Sequence, residues 1–202
     1  MSRGILIVFE GIDGTGKSTQ CPMLSKLLSE KGIYNVSFAE STNGKWGQKI
    51  RRLLSEGRKG VSAEEELEWF INDRKEDVEL KIKPALKVGK VVLMDRYYFS
   101  TAAYQGALGL DPKQIRRDNE KFAPLPDRVL IFHNSPEKSL ERIESSRRIK
   151  SSFEKREYLI DVQNIFKSFS GSNIRFILSD DTLENIHAKV VHEVNDLFEL
   201  KL

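Results

Sequence analysis

The chain is poor in the residues that staple or anchor small proteins. Its 202 residues include one cysteine, Cys21, and three histidines. A single thiol excludes an internal disulfide framework and points to a reducing, cytoplasmic compartment. The scarcity of both residue types, scattered far apart, argues against a structural zinc site. Long apolar runs are missing too. The longest, Ile5 to Phe9, falls far short of the about 20 residues that cross a bilayer, so no membrane association is expected. Arg3 and Gly4 lead straight into that run and Glu10 closes it, which is not the pattern of a secretory leader. Charge of one sign is also in short supply. The 33 Lys+Arg oppose 30 Asp+Glu for a net charge of +3, well below the one-sided excess of a nucleic-acid binder. Neither an internal repeat nor a low-complexity tract occurs.

What is present fits one globular domain spanning residues 1–202, long enough to bury roughly 70% of its unfolded surface. Apolar runs of branched residues alternate with segments of helical spacing. The runs are Gly4–Phe9, Tyr34–Ala39, Val91–Met94, Arg128–His133 and Ile174–Leu178. Helices are expected over 17–31, 46–56, 64–88, 99–108, 111–120, 153–168 and 182–199, with another beginning at Ser135-Pro136-Glu137. Pro84 should end or kink the long 64–88 helix, although a helix can continue past one proline. This alternation implies an α/β fold: a five-stranded parallel sheet, helices on both faces, and ligands beyond the carboxyl ends of the strands.

The strongest signal sits at the first of those ends. Gly11-Ile12-Asp13-Gly14-Thr15-Gly16-Lys17-Ser18 fits G-x-x-x-x-G-K-[ST], between a buried strand and a helix. Glycines let the backbone wrap close to phosphate. Their N–H groups and the helix N-terminus attract the anion. Lys17 supplies a compact cation for the β- and γ-phosphates, and the Ser18 hydroxyl suits Mg²⁺. This P-loop predicts an ATP-binding site of Gly11 to Thr19. The fourth strand runs into His133-Asn134-Ser135-Pro136 rather than the Asn-Lys-x-Asp that reads guanine in GTPases. A nucleoside or nucleotide kinase with its own acceptor site remains the economical reading.

Three stretches then resemble the thymidylate kinase family along nearly the whole chain. They are Phe9 to Thr19; Asp95-Arg96-Tyr97-Tyr98-Phe99-Ser100-Thr101-Ala102-Ala103-Tyr104-Gln105-Gly106; and Phe70-Ile71-Asn72-Asp73-Arg74 followed by Lys83-Pro84-Ala85-Leu86. The resemblance implies ATP-dependent phosphorylation of dTMP to dTDP, with Mg²⁺, by a homodimer in which Trp69 and the 64–88 helix supply an apolar patch. It also assigns roles. Asp95 joins Ser18 at the metal, and Arg96 grips the acceptor phosphate. Phe70 stacks on thymine, and Arg74 bonds the base edge. Tyr104 packs near the deoxyribose, and Ser100, Thr101 and Gln105 line the acceptor pocket. Asp13 lies near acceptor and metal. Glu40 is kept in the loop after the second strand. There Phe38-Ala39-Glu40-Ser41-Thr42 lacks the family's usual preceding arginine and following proline.

Some family members place a transition-state arginine in the P-loop after the aspartate; here that position is Gly14. The compensating cation is expected from a mobile basic lid over about 142–156, from Arg148 first and Arg147 second, with Arg142 anchoring the nucleotide. Phe153-Glu154-Lys155 resembles the segment that opens the following helix. Two other readings stay open: a monophosphate kinase of broader base choice, since one methyl is worth only about 1–3 kcal/mol, and a nucleotide-dependent switch without catalysis.

Overall fold

The computed structural model describes residues 3–58, 60–135, 138 and 153–198. Its frame is a five-stranded, all-parallel sheet in the order β2-β3-β1-β4-β5. The strands are β1 (Leu6–Glu10), β2 (Asn35–Ala39), β3 (Val91–Asp95), β4 (Arg128–His133) and β5 (Ile174–Leu178). The helices, in chain order, are α1 (Lys17–Glu30), α2 (Lys45–Glu56), α3 (Ala63–Asp77), α4 (Lys83–Lys87), α5 (Tyr98–Gly106), α6 (Pro112–Glu120), α7 (Phe153–Ser168) and α8 (Leu183–Val194).

Alternation along the central strands separates two cores. Leu6 and Val8 of β1, Val92 and Met94 of β3, and Val129 and Ile131 of β4 face one way, against Val78, Ile82, Phe99, Ala102 and Phe166. Ile7, Phe9, Leu93, Leu130 and Phe132 face the other way, against Cys21, Leu24 and Leu28 of α1 and Ile186, Val190 and Val194 of α8. Both faces are therefore covered, as continuous apolar strands require. From β1 the chain crosses by α1 on one face toward β2. From β3 it crosses by α5 and α6 on the other face toward β4. Connections leaving in opposite directions must lie on opposite faces if all share one hand. That reversal opens a crevice beyond the carboxyl ends of β1 and β3, where Glu10 and Asp95 lie.

The long amphipathic segment expected over 64–88 is helical from Ala63 to Lys87, yet Pro84 neither ends nor breaks it. Residues Val78–Ile82 widen into a π-helical turn, and the Lys83 N–H reaches back to the Val78 carbonyl. Looser winding ahead of Pro84 accommodates a residue without an N–H, so the segment continues through α4. The segment begins with Ser62, whose hydroxyl accepts from Glu65 N, and with acids at 64–66 that suit the positive end of the dipole. Of the helix expected from Ser135-Pro136-Glu137, only Lys138 lies among the described residues beyond Ser135; its N–H donates to Ser135 Oγ at 3.3 Å.

A third, smaller cluster joins α2 to α3: Ile50, Leu53 and Trp69, with Trp46, Val61 and Phe70 packed against it. Trp69 is 6% exposed, and the Lys49 ammonium lies 3.6 Å from its ring centroid. It therefore lies in an intramolecular core and supplies no apolar surface patch, which corrects the expectation from sequence. The exposed apolar side chains near the end of this segment are instead Leu80 and Val88, at 74% and 61%. No helix among the described residues is long and apolar enough to cross a membrane.

Gly47, in the first turn of α2, permits this cluster to close on the preceding loop. A Cβ built there would lie 1.9 Å from the Thr42 carbonyl oxygen. Arg51 of the same helix donates to the carbonyls of Ser41, at 2.9 Å, and of Thr42. Gly47→Ala is therefore expected to destabilise the fold by about 2 kcal/mol, read in a thermal melt as a Tm lower by roughly 5 °C.

Candidate active site

The cradle begins where β1 ends. Gly11 has φ +129°, and a Cβ there would sit 2.2 Å from the Phe132 carbonyl oxygen of β4, so the turn needs glycine for both conformation and space. Gly16 is the left-handed N-cap of α1, and no side chain caps that end. The orphan N–H groups of the helix are thus left for a phosphate. Lys17 is buried, and its Nζ donates to the Ile12 carbonyl at 2.8 Å. Burial pulls its ammonium down to about 7, aided by Arg96 and opposed by Asp13, Asp95 and Glu10. Anionic phosphates in the cradle would restore the charge. A cleft of about 390 Å³ lies here, lined by Asp13, Gly14, Gly16, Lys17, Ser18, Thr19 and Arg96.

Ser18 and Asp95 meet across the crevice, with Ser18 Oγ donating to Asp95 Oδ2 at 2.8 Å. The other Asp95 oxygen is buried with no hydrogen-bond partner. An orphaned carboxylate oxygen beside a hydroxyl is the hard donor set that Mg²⁺ accepts, the remaining positions falling to water and phosphate. The residues present fit that ion.

Arg96 follows Asp95 with φ +71°. Its N–H donates to the Phe9 carbonyl at 2.9 Å. The side chain turns to the cradle: Nη2 meets Asp13 Oδ1 at 2.5 Å, and Nη1 donates to Ser100 Oγ at 2.8 Å and the Gly11 carbonyl at 3.2 Å. The guanidinium lies 5.2 Å from the centroid of the Tyr104 ring.

A second arginine node lies farther from the cradle. Arg74 of α3 is fully buried. It donates through Nε to Glu40 at 2.9 Å and through Nη2 to the other Glu40 oxygen. It also bonds Thr101 Oγ1 at 2.8 Å and Asn119 Oδ1 at 2.6 Å. Of its five N–H groups, one on Nη1 is uncommitted in these contacts. Phe70 stands one helical turn before Arg74 on the same face. Gln105 stands one turn after Thr101, fully buried, with both amide atoms unpartnered. Such groups are costly unless something meets them. Glu40, expected as an acceptor-site residue, is sequestered beneath Arg74. Burial pushes its carboxyl up from the ordinary range and the Arg74 charge pulls it back.

The structure thus gathers Asp13, Ser18, Asp95, Arg96, Ser100 and Tyr104 around the cradle. It places Glu40, Arg74 and Thr101 in an adjoining node, with Phe70 and Gln105 one helical turn away. Arg142, Arg147 and Arg148 lie outside the described residues. Several polar supports escaped the sequence reading. Asn119 holds Arg74 and is itself fixed by donating to the Ile115 carbonyl at 2.8 Å. Asp73 accepts from Thr42 N at 2.8 Å and Thr42 Oγ1 at 2.6 Å. Arg58 pairs with the buried Glu66 at 2.7 Å, and Tyr158 of α7 donates to the Tyr104 carbonyl at 3.1 Å. Glu10 accepts from the start of α5, and burial drives its carboxyl up to about 7, with Ser100 and Arg96 opposing.

Residues 9–190 match the family model described as Thymidylate kinase. The chain belongs to the thymidylate kinase family. It is 46% identical over 198 residues to a thymidylate kinase of Desulfotalea psychrophila, covering 98% of this chain and 97% of the relative. Identity is 44% over 188 residues to one of Akkermansia muciniphila, covering 93% and 90%. A crystal structure of thymidylate kinase from Ehrlichia chaffeensis aligns with a TM-score of 0.75 at 28% identity, covering 94% of this chain and 98% of that one. The sheet, P-loop and crossovers described above are therefore those of a P-loop kinase fold.

In this thymidylate kinase family member the Arg74 node depends on one amide from α6. Asn119→Leu leaves a buried guanidinium N–H without an acceptor. The expected loss is about 2–3 kcal/mol of unfolding free energy, read as a lower urea midpoint with an unchanged slope.

Proposed function

We propose that the chain transfers the γ-phosphoryl group of ATP directly to a phosphate oxygen of dTMP, giving ADP and dTDP. One observation carries this reading: a single cleft is lined both by the phosphate cradle and by Arg96. A nucleotide switch needs the cradle alone. A kinase for a phosphorylated acceptor needs a second cation facing it, with room between. Arg96 supplies that cation, and its fork geometry suits a phosphate. The buried Gln105 amide and the remaining Arg74 donor support recognition of a base, with Phe70 as the stacking surface.

In the mechanism read from these residues, Lys17 leaves the Ile12 carbonyl for the β- and γ-phosphates. Its charge is then offset by anions rather than by burial against a carbonyl. Asp13 yields its hold on Arg96 when the acceptor phosphate arrives, so the guanidinium exchanges one anionic partner for another. The acceptor oxygen attacks the γ-phosphorus as the bond to the ADP oxygen breaks. No covalent protein intermediate is needed, because the acceptor is already nucleophilic. Ser18 and Asp95 would hold Mg²⁺, which when bound would neutralise phosphate charge. Arg148, with Arg147 second, supplies the cation that the P-loop lacks at Gly14; Arg142 anchors the nucleotide. Tyr104 packs against the deoxyribose. Exclusion of water from the cleft would keep ATP from being hydrolysed.

We further read the protein as a cytoplasmic homodimer with no nucleic-acid partner. The lone buried thiol supports the first point and the exposed Leu80 and Val88 support the second. The small net charge supports the absence of nucleic acid.

The test is ADP formation from ATP and Mg²⁺ with dTMP, dUMP, dCMP, dGMP, UMP or no acceptor. Turnover should depend on dTMP and stop on chelation of the metal. Lys17→Ala should lower kcat by about 100-fold or more, and Arg96→Ala should raise the KM for dTMP. Equal rates with several acceptors would remove the thymine roles of Phe70 and Arg74. Acceptor-independent hydrolysis would overturn the kinase reading.

A further inference from the structure

Glu10 is the last residue of β1 and shares a face with Leu6 and Val8, so its carboxylate points into the core rather than the cleft. It is fully buried. Its Oε1 accepts from the backbone N–H of Tyr97 at 2.8 Å and of Ser100 at 3.2 Å. Its Oε2 accepts from Ser100 Oγ at 2.5 Å. Helix α5 has no other side-chain cap, since Tyr97 at its N-cap offers none. A carboxylate from a neighbouring strand therefore holds the positive end of this helix.

Proton counting gives the contact a direction. The Ser100 hydroxyl has one proton and gives it to Glu10. Its oxygen is then an acceptor only, and the donor it meets is Arg96 Nη1 at 2.8 Å. A chain of polarity thus runs from the arginine to the serine to the buried carboxylate. The backbone of Arg96 is held by the same strand end. Its left-handed conformation, rare for a residue with a side chain, lies between the Phe9 carbonyl behind and the Glu10-capped turn ahead.

We propose that Glu10 is a positioning residue for the acceptor phosphate, acting through Ser100 and the first turn of α5 to fix Arg96 in backbone and in guanidinium direction. The inference rests on the reading above that Arg96 grips that phosphate. Glu10 itself touches no substrate.

Glu10→Gln tests it with almost no change of volume. The two backbone N–H groups require oxygen at one end of the amide. The NH₂ end must then face Ser100 Oγ. Serine loses its acceptor, so its proton turns away and its lone pairs are shared between two donors. Arg96 loses its directed partner while the helix cap survives. The expected result is a KM for dTMP higher by roughly tenfold to a hundredfold, with the KM for ATP within about twofold. Ser100→Ala removes the relay but leaves the Glu10 backbone contacts, and should act in the same direction. The double variant should be no worse than the worse single, because both changes break one chain. Should Glu10→Gln fail to fold by circular dichroism, Ser100→Ala carries the same kinetic comparison.

A crystal structure of whichever variant folds gives a readout that needs no turnover. The guanidinium should leave the Gly11 carbonyl and Asp13. If the reading of the reaction is wrong but the inference right, wild type will ignore dTMP and the variant will still show a displaced Arg96. The inference is overturned if Arg96 superposes on its wild-type position. It is equally overturned if folded variants raise both KM values alike or neither.

Discussion

A carboxylate withdrawn from water at the end of a central strand has to be met by donors, and much of the acceptor half of the site is arranged around that demand. Desolvation of such a group costs several kcal/mol if it is left unmet. Here β1 ends in Glu10, and the first turn of α5 converges on it from across the crevice. The next residue, Gly11, opens the phosphate cradle. The same strand end therefore sets the start of the cradle on one side and the start of α5 on the other. Donor and acceptor halves of the site share a single rigid origin, which fits a transfer chemistry that relies on placement more than on covalent participation by the protein.

The two arginines show two ways of handling a buried charge. Arg74 commits four of its five N–H groups to Glu40, Thr101 and Asn119, which leaves it little freedom. Arg96 is partly open and paired with Asp13, an exposed carboxylate that a phosphate can displace. The first ion pair lies in a dry interior where separating the partners is costly. The second faces solvent, where exchange of one anion for another costs little. Arg74 is thus held rigidly, while the partner of Arg96 is exchangeable.

The local parts of this arrangement were legible in the sequence. The cradle is eight consecutive residues, and Asp95-Arg96 closes a strand whose apolar run announces itself. Sheet class followed from alternation alone. The supports were not legible, because each pairs residues far apart in the chain: Glu10 with Ser100, Arg74 with Asn119, Asp73 with Thr42. Polarity by itself does not mark such partners. Glu10 did leave one sign, a charged residue at a position whose parity matches the inward Leu6 and Val8. That the helix could continue past Pro84 was legible, but the π-turn that accommodates it has no sequence marker of its own. Trp69 was read as surface because helical spacing does not reveal that α2 folds over it. Glu40 was placed correctly in its loop, yet its side chain turns inward to Arg74.

The α2–α3 cluster has an optical consequence. The chain contains two tryptophans, and both belong to this cluster. Trp69 adjoins Phe70 in sequence and lies beneath the Lys49 ammonium, while Trp46 is flanked by Lys45 and Lys49. Tryptophan emission of this protein therefore originates from one wall of the molecule and not from its sheet. A nearby cation shifts indole emission, so small movements of α2 against α3 are written directly into the spectrum. The fold carries a built-in fluorophore pair beside Phe70, and no label is required to watch that wall move.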